Sequence, residues 1–142
     1  MARAADSIDA RATEILRAMN QRGGYPLALV CTERGLLVAA MGEPVRAEAL
    51  AGFTSLFDDI VARAARDLGL AAVDEVTLSD ARAGRYVVRP LTHASEPRLF
   101  LVVQVPRDRT WRRNTAVAAR ALLAALRPLL TSTPQPEPRD DP

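Results

Sequence analysis

The sequence contains no lysine, because all 19 of its basic residues are arginine. Without a side-chain primary amine, the chain cannot perform Schiff-base catalysis, activate a serine with lysine, or hold a phosphate with the lysine of a nucleotide-binding loop. Cysteine and histidine occur once each, as Cys31 and His93. These are too few for a structural zinc site, which needs four such ligands, or for a disulfide within the chain. We therefore expect neither a metal nor a cofactor.

Hydrophobic runs long enough to cross a membrane are also missing, since no apolar stretch approaches the ~20 residues that span a bilayer. No leader of the secretory type is recognisable, so we expect a cytoplasmic protein. The formal net charge is only +2, and the pI near 9.3 reflects arginine, which keeps its proton to high pH. A domain so close to neutral exerts no general attraction on nucleic acid.

Hydrophobic periodicity and turn residues divide the chain into a helix, two strands, a helix, three strands and a final helix. The predicted helices span residues 7–21, 46–68 and 111–127, the last closed by Pro128. The predicted strands span residues 27–32, 36–41, 73–79, 85–92 and 98–105. We expect one domain over residues 7–130, preceded by a flexible N-terminus, 1–6. The proline-rich, acidic tail, 131–142, is expected to be disordered.

The pattern of polar residues predicts the order of the strands. The first and fifth strands are apolar on both faces, so each must be covered on both sides. The third carries Asp74 and Glu75, and the fourth carries Arg85 and Arg89, which places these two nearer an edge. With hairpin neighbours kept adjacent, the order is 2-1-5-4-3 in an α+β sandwich, a five-stranded antiparallel sheet between helices. The third strand is then an exposed edge unless another strand pairs with it.

The helix predicted over residues 46–68 has more apolar surface than one sheet face needs. Its apolar side chains cover an arc of about 180°, whereas a stripe of about 100° suffices to pack on a sheet. Either the helix is sunk deep in its own core, or a second copy shares it across a two-fold axis. The second interpretation, which the unprotected third strand favours, predicts a dimer interface formed by Leu50, Phe53, Leu56, Phe57, Ile60, Val61, Ala64, Val73 and Val76.

The segment 25–40, YPLALVCTERGLLVAA, followed by a long amphipathic helix, resembles the roadblock/dynein light chain family. The pattern of strand, polar turn with glycine, strand and helix matches over residues 8–130. The resemblance implies a profilin-like roadblock fold and a homodimer through the second helix and third strand. It also implies a non-enzymatic partner of Ras-like small GTPases or of motor and polarity complexes. Bacterial gliding-motility regulators of this family stimulate a partner GTPase. The stretch 107–111 departs from the family's asparagine-glycine-like pattern, so contacts of that loop are not carried over.

Few side chains are candidates for catalysis. Cys31 points inward in a central strand, which predicts a buried, inert thiol. His93 lies in a turn beside Ser95 and Glu96, but three neighbours in one short loop do not easily aim at one substrate atom. An enzymatic site would bring at least two of five side chains together in a cleft, namely those of Cys31, Asp58, His93, Ser95 and Glu96. We expect no enzymatic activity.

Arginines around the last helix form a candidate docking site for a partner. They are Arg107, Arg109, Arg112, Arg113, Arg120 and Arg127. Those at 113, 120 and 127 are spaced by seven and fall within about 40° on the helix. They form either a solvated outer face or a strip for an acidic partner, because guanidinium groups pair well with carboxylates. A nucleic-acid site is disfavoured, since Trp111 is the only aromatic residue nearby.

A rival binding function is that of a sensor-like domain of profilin or PAS-like architecture, holding a small ligand between sheet and helix. Such a site needs a cavity with convergent polar groups. The positions predicted to point inward are aliphatic instead, which disfavours a ligand cavity.

Overall fold

The structure, a computed structural model, describes residues 4–92 and 97–131. Its helices are α1 (Ala4–Gly23), α2 (Pro44–Gly52), α3 (Thr54–Asp67) and α4 (Arg112–Thr131). Its strands are β1 (Leu27–Thr32), β2 (Leu37–Met41), β3 (Val76–Asp80), β4 (Gly84–Pro90) and β5 (Leu99–Val105). The expected disorder of the tail concerns residues that, from 132 onward, lie outside the described part of the chain.

The five strands form one antiparallel sheet in the order β2-β1-β5-β4-β3, which confirms the predicted topology and the α+β class. β1 lies between β2 and β5, and residues 27–31 are all buried. β5 is buried at every position except Gln104. The two strands that are apolar on both faces therefore form the centre of the sheet, as their sequence predicts.

Helices cover both faces of the sheet and create two cores. On one face, α1 and α4 contribute Leu16, Met19 and Leu122, which pack with Val30 and Leu101. On the other face, α2 and α3 lie over alternate residues of the same strands. That core contains Leu27, Leu29, Cys31, Ala47, Ala51, Phe57, Val88, Phe100 and Val102. Successive side chains of each central strand therefore point alternately into the two cores.

The second helical segment differs from the single helix predicted over residues 46–68. It begins at Pro44, because the carboxylate of Glu43 accepts hydrogen bonds from the backbone N–H groups that follow and caps α2. It is interrupted at Phe53, after Gly52, and continues as α3. The buried Thr54 hydroxyl donates to the Leu50 carbonyl at 3.3 Å, one turn earlier, and lies 3.1 Å from the Sγ of Cys31 in the sheet. Thr54 is thus tied to the sheet next to a weak helix former, Gly52.

Three other boundaries differ from the predicted ones by three residues or more. α4 continues through Pro128, because Leu126 is buried and Leu130 packs on the core, which offsets the hydrogen bond that proline cannot make. α1 begins at Ala4, so the segment expected to be flexible is helical from there onward, in keeping with the helix propensity of its alanines. β3 begins at Val76 rather than residue 73.

A large-to-small change at Leu122 tests the core between the sheet and α4. Leu122 is fully buried, so Leu122→Ala leaves a cavity and is expected to lower the free energy of unfolding by about 2–5 kcal/mol. Arg120→Ala, on the exposed face of the same helix, should change it by less than about 0.5 kcal/mol. Urea unfolding at one fixed protein concentration measures both, and equal effects would contradict the assignment of the core.

Candidate interaction surface

β3 is a free edge of the sheet. It pairs with β4 on one side, in register from Val76 opposite Val88 to Asp80 opposite Gly84, and with no strand of the described chain on the other. Its outer backbone N–H and C=O groups are therefore available to another strand. β3 has only five residues, and it contains no proline that would block pairing.

An exposed apolar surface lies on the same side of the sheet as α2 and α3, and we call it the apolar face. Its helical members follow one another at helical spacing, and one member comes from β3. They are Val45, Ala49, Phe53, Leu56, Ile60 and Leu78. The large side chains among them are 50–73% exposed. Apolar surface of this extent beside an unpaired strand is typical of protein–protein interfaces.

A groove separates the helices from β3 and β4, with a volume of about 520 Å³. Four members of the apolar face line the groove, together with two further helical residues and two residues of the sheet. They are Val45, Ala49, Phe53 and Leu78, then Leu50 and Phe57, then Val88 and Val102. At its rim, Arg46 donates to the hydroxyl of Tyr86 at 2.9 Å. The α2–α3 layer therefore leaves the face of the sheet nearest β3 incompletely covered.

The predicted interface residues divide into three groups in the structure. Phe53, Leu56 and Ile60 are exposed on the apolar face, whereas Phe57 is buried in the core. The half-buried group comprises Leu50, Val61, Ala64, Val73 and Val76. Three members of the apolar face, Val45, Ala49 and Leu78, were missed by the sequence analysis. Val45 precedes the predicted start of the helix, although it stands four residues before Ala49 and eight before Phe53, and Leu78 is indistinguishable in sequence from a core residue of a strand.

The arginines predicted to dock a partner fall into two groups in the structure. Arg107 donates to the carbonyl of Ala81, and Arg109 packs beside Gly24. Arg112 stacks on Trp111. These three side chains contact the protein itself at the start of α4. The exposed face of α4 carries Arg113, Arg120 and Arg127.

Trp111 ties the start of α4 to the segment before β3. The guanidinium groups of Arg85 and Arg112 lie over its ring, 4.8 and 4.9 Å from the ring centroid. Its indole Nε1–H donates to the carboxylate of Glu75 at 2.9 Å, and the hydroxyl of Thr77 donates to the same carboxylate. These contacts attach the segment that precedes β3 to the start of α4, which belongs to the helical layer on the other face of the sheet from α2 and α3.

The structure does not assemble the catalytic candidates that it describes. Cys31 is buried, with its Sγ 3.1 Å from the Thr54 hydroxyl, and Asp58 accepts from Arg98 at 2.6 Å. Burial raises the pKa of Cys31 to about 11, although the hydrogen bond with Thr54 opposes this shift. The other three candidates, His93, Ser95 and Glu96, lie outside the described residues.

The described ranges contain no cluster of three or more His, Cys, Asp or Glu side chains that could hold a metal ion. In the same ranges, no helix is both long enough and apolar enough to cross a membrane.

Cys31 is expected to resist thiol reagents in the native protein. With a pKa of about 11, about one thiol in a thousand is ionised at pH 8, and burial blocks access as well. An aromatic disulfide reagent should therefore leave the native chain unmodified while it labels the urea-unfolded chain stoichiometrically. Thr54→Val should remain unreactive, because burial is the larger cause. Rapid labelling of the native chain would contradict the position of Cys31.

Solved structures similar to this chain share one fold. The gliding protein MglB from Thermus thermophilus aligns with a TM-score of 0.74 at 19% identity, over 85% of this chain and 92% of that one. An MglB with a tetrameric arrangement aligns with a TM-score of 0.75 at 20% identity, over 87% of this chain and 93% of that one. A roadblock/LC7 domain from Streptomyces avermitilis aligns with a TM-score of 0.64 at 18% identity, over 83% of this chain and 96% of that one. No protein-family model and no curated protein sequence matches the chain. The chain has the roadblock fold, as its sequence resemblance predicts.

Proposed function

We propose that this roadblock-fold chain is a non-enzymatic, cytoplasmic homodimer that binds and regulates a Ras-like small GTPase. The observation that carries the proposal is the apolar face beside the unpaired edge of β3. The partner implied by the family resemblance is a small GTPase, or a related roadblock protein in a larger assembly. The similarity to structures named as gliding proteins favours a role in motility or polarity.

A second copy satisfies both exposed features at once. If β3 pairs antiparallel with its counterpart across a two-fold axis, the edge of each sheet disappears. The two apolar faces then meet on one side of the joined sheets, because the helices lie over the same face in each copy. Burying a large apolar side chain that is fully exposed stabilises an assembly by about 1.5–3 kcal/mol. Phe53, Leu56 and Ile60 each contribute part of that amount, since each is about half exposed.

The GTPase is proposed to meet the dimer through electrostatic contacts that include the exposed face of α4. Guanidinium groups remain charged at all physiological pH values and bind carboxylates in a bidentate manner. Arg113, Arg120 and Arg127 present such groups along one side of α4. We propose that these arginines orient the GTPase, and that the residues which stabilise the transferring phosphoryl group are the GTPase's own.

The alternative function is that of a small-ligand sensor, and the α2–α3 groove is the site that it would use. Its volume of about 520 Å³ falls in the range of ligand pockets. However, its lining is almost entirely apolar, and it opens onto the face that the proposed dimer covers. Dimerisation and ligand binding in the groove are therefore expected to exclude one another.

A charge placed on the apolar face is expected to dissociate the dimer. The wild-type chain should scatter light as a particle of about twice 15.4 kDa, whereas Phe53→Asp and Ile60→Asp should give monomers or aggregates. Ser55→Asp is the matched control, because it adds the same charge to an exposed position of α3 on another side of the helix. A monomeric wild type, or dimers of both variants, would refute the interface.

Single-turnover GTP hydrolysis tests the role of the arginines. With a candidate small GTPase, alanine substitutions at Arg113 and Arg120 should each reduce stimulation in a graded way, by about 2- to 5-fold, as expected for one lost surface contact of up to about 1 kcal/mol. Arg107→Ala, Arg109→Ala and Arg112→Ala test whether any of these acts as a catalytic finger. Loss of all stimulation at a single position would contradict the proposal and indicate an arginine finger.

A further inference from the structure

The two ends of β3 carry opposite charges that no ion pair within the described part of the chain neutralises. Asp74 lies two residues before the strand, and Arg82 lies two residues after it, in the turn that leads into β4. Both residues are exposed, and neither forms a salt bridge with another described residue. The carboxylates nearer the strand already have partners: Glu75 accepts from the indole of Trp111, and Asp80 accepts from two backbone N–H groups of the turn.

A two-fold axis that joins two copies of β3 has to pass beside one residue of the strand. In an antiparallel pair, two opposed residues exchange either both backbone hydrogen bonds or none, and the two kinds of residue alternate along each strand. A residue can therefore face only itself or a residue an even number of positions away. For the strand Val76–Asp80, the axis can thus lie at any one of its five residues but not between two of them.

The length of β3 favours an axis at its middle residue, Leu78. With the axis there, all five residues face a residue of the partner's β3, whereas an axis one residue away pairs only residues 76–78 or 78–80. The longer pairing leaves fewer backbone groups unpaired at the edge. Leu78 also belongs to the apolar face, and opposed residues point to the same side of a sheet, so the two Leu78 side chains meet and join the two apolar faces.

The charges beyond the two ends favour the same axis. Positions 74 and 82 are each four residues from Leu78, so Asp74 of one copy lies opposite the partner's Arg82, and this contact occurs twice in the dimer. With the axis at residue 77, Asp74 lies opposite the partner's Asp80 instead, and like charges that face each other are destabilising. With the axis at residue 79, Leu78 faces Asp80 and loses its apolar counterpart.

We propose that two copies of β3 pair about Leu78, and that contacts between Asp74 of one copy and the partner's Arg82 determine this register. The inference rests on the proposed homodimer, and it adds the residues that decide which strand β3 accepts. Each charge contact is exposed, so it is weak and is screened by salt. Its effect is therefore on specificity: a partner strand with an acidic residue before it and a basic residue after it is accepted, and one with the opposite arrangement is rejected.

Charge reversal tests the specificity. Asp74→Arg and Arg82→Asp each place two like-charge contacts in the self-paired dimer, and each is expected to raise the dissociation constant by about tenfold at low salt. An equimolar mixture of the two variants should associate as tightly as the wild type, because both contacts are attractive in the mixed dimer. The chain that carries both changes should do the same, since it only exchanges the two charges. Sedimentation velocity measures all four samples.

Asp9→Arg and Arg11→Asp are the matched controls for these variants. They change the net charge by the same amounts at exposed positions of α1, in the helical layer on the other face of the sheet. Their dissociation constants should stay within about two-fold of the wild type, because surface changes away from an interface have small effects. Equal effects of the control and test variants would mean that net charge, and not the contact at the ends of β3, governs association.

Disulfide trapping tests the position of the axis. Opposed residues have Cα atoms about 4.5–5.5 Å apart, within the range of about 4.4–6.8 Å that a disulfide needs, whereas diagonal neighbours are about 7–8 Å apart. Under a mild oxidant, Leu78→Cys should therefore cross-link with itself. Thr77→Cys and Ser79→Cys should each fail to do so alone but should cross-link when mixed. The native thiol of Cys31 is buried and does not interfere.

The outcomes separate this register from the homodimer itself. Self-cross-linking of Thr77→Cys or Ser79→Cys would place the axis elsewhere and overturn the register. A dimeric wild type with no cross-linking at any of the three positions, or charge reversals that associate like the wild type, would overturn it as well while the homodimer stands. A wild type that stays monomeric in light scattering would overturn the proposed homodimer, and the register with it.

Discussion

The pairing of β1 with β5 at the centre of the sheet is the interaction on which the rest of the structure depends. From Leu27 to Cys31, and from Leu99 to Val103, every residue is buried. Strands that are apolar on both faces require a helical layer on each side, and the chain supplies α1 with α4 on one side and α2 with α3 on the other. Helices cover faces but not edges, so the outer side of β3 pairs with no strand of the described chain.

The free edge and the apolar face are two consequences of this arrangement. The helical layer formed by α2 and α3 leaves a groove open above β3 and β4. Trp111 and Glu75 hold the segment before β3 in place, so the edge strand has a fixed position although it has one neighbour. A second copy that pairs with β3 would bury the edge and the apolar face together, which is why we regard them as one site.

The sheet could be predicted from sequence because its signals are local. Continuous apolar runs in β1 and β5, polar residues in β3 and β4, and turns containing glycine together determine the strand order. The interruption at Phe53 could not be predicted, because apolar periodicity continues through residues 46–68. The contact of Thr54 with Cys31 of the sheet, which lies beside the interruption, joins residues far apart in sequence. The end of α4 was also predicted wrongly, at Pro128. The helix continues beyond this proline because Leu126 is buried in the core, and that burial depends on how the helix packs. The apolar face was predicted in part. Phe53, Leu56 and Ile60 are exposed on it, whereas Phe57 is buried in the core.

Hydrogen exchange at the two edges of the sheet tests the central claim most directly. If β3 is where two copies join, the outer amides of Val76–Asp80 should become more protected as the protein concentration rises through the dissociation range. The amides of Leu37–Met41 in β2, the other edge, serve as the internal reference and should not change. Exchange at β3 that is independent of concentration, or protection that appears at β2 instead, would contradict this account.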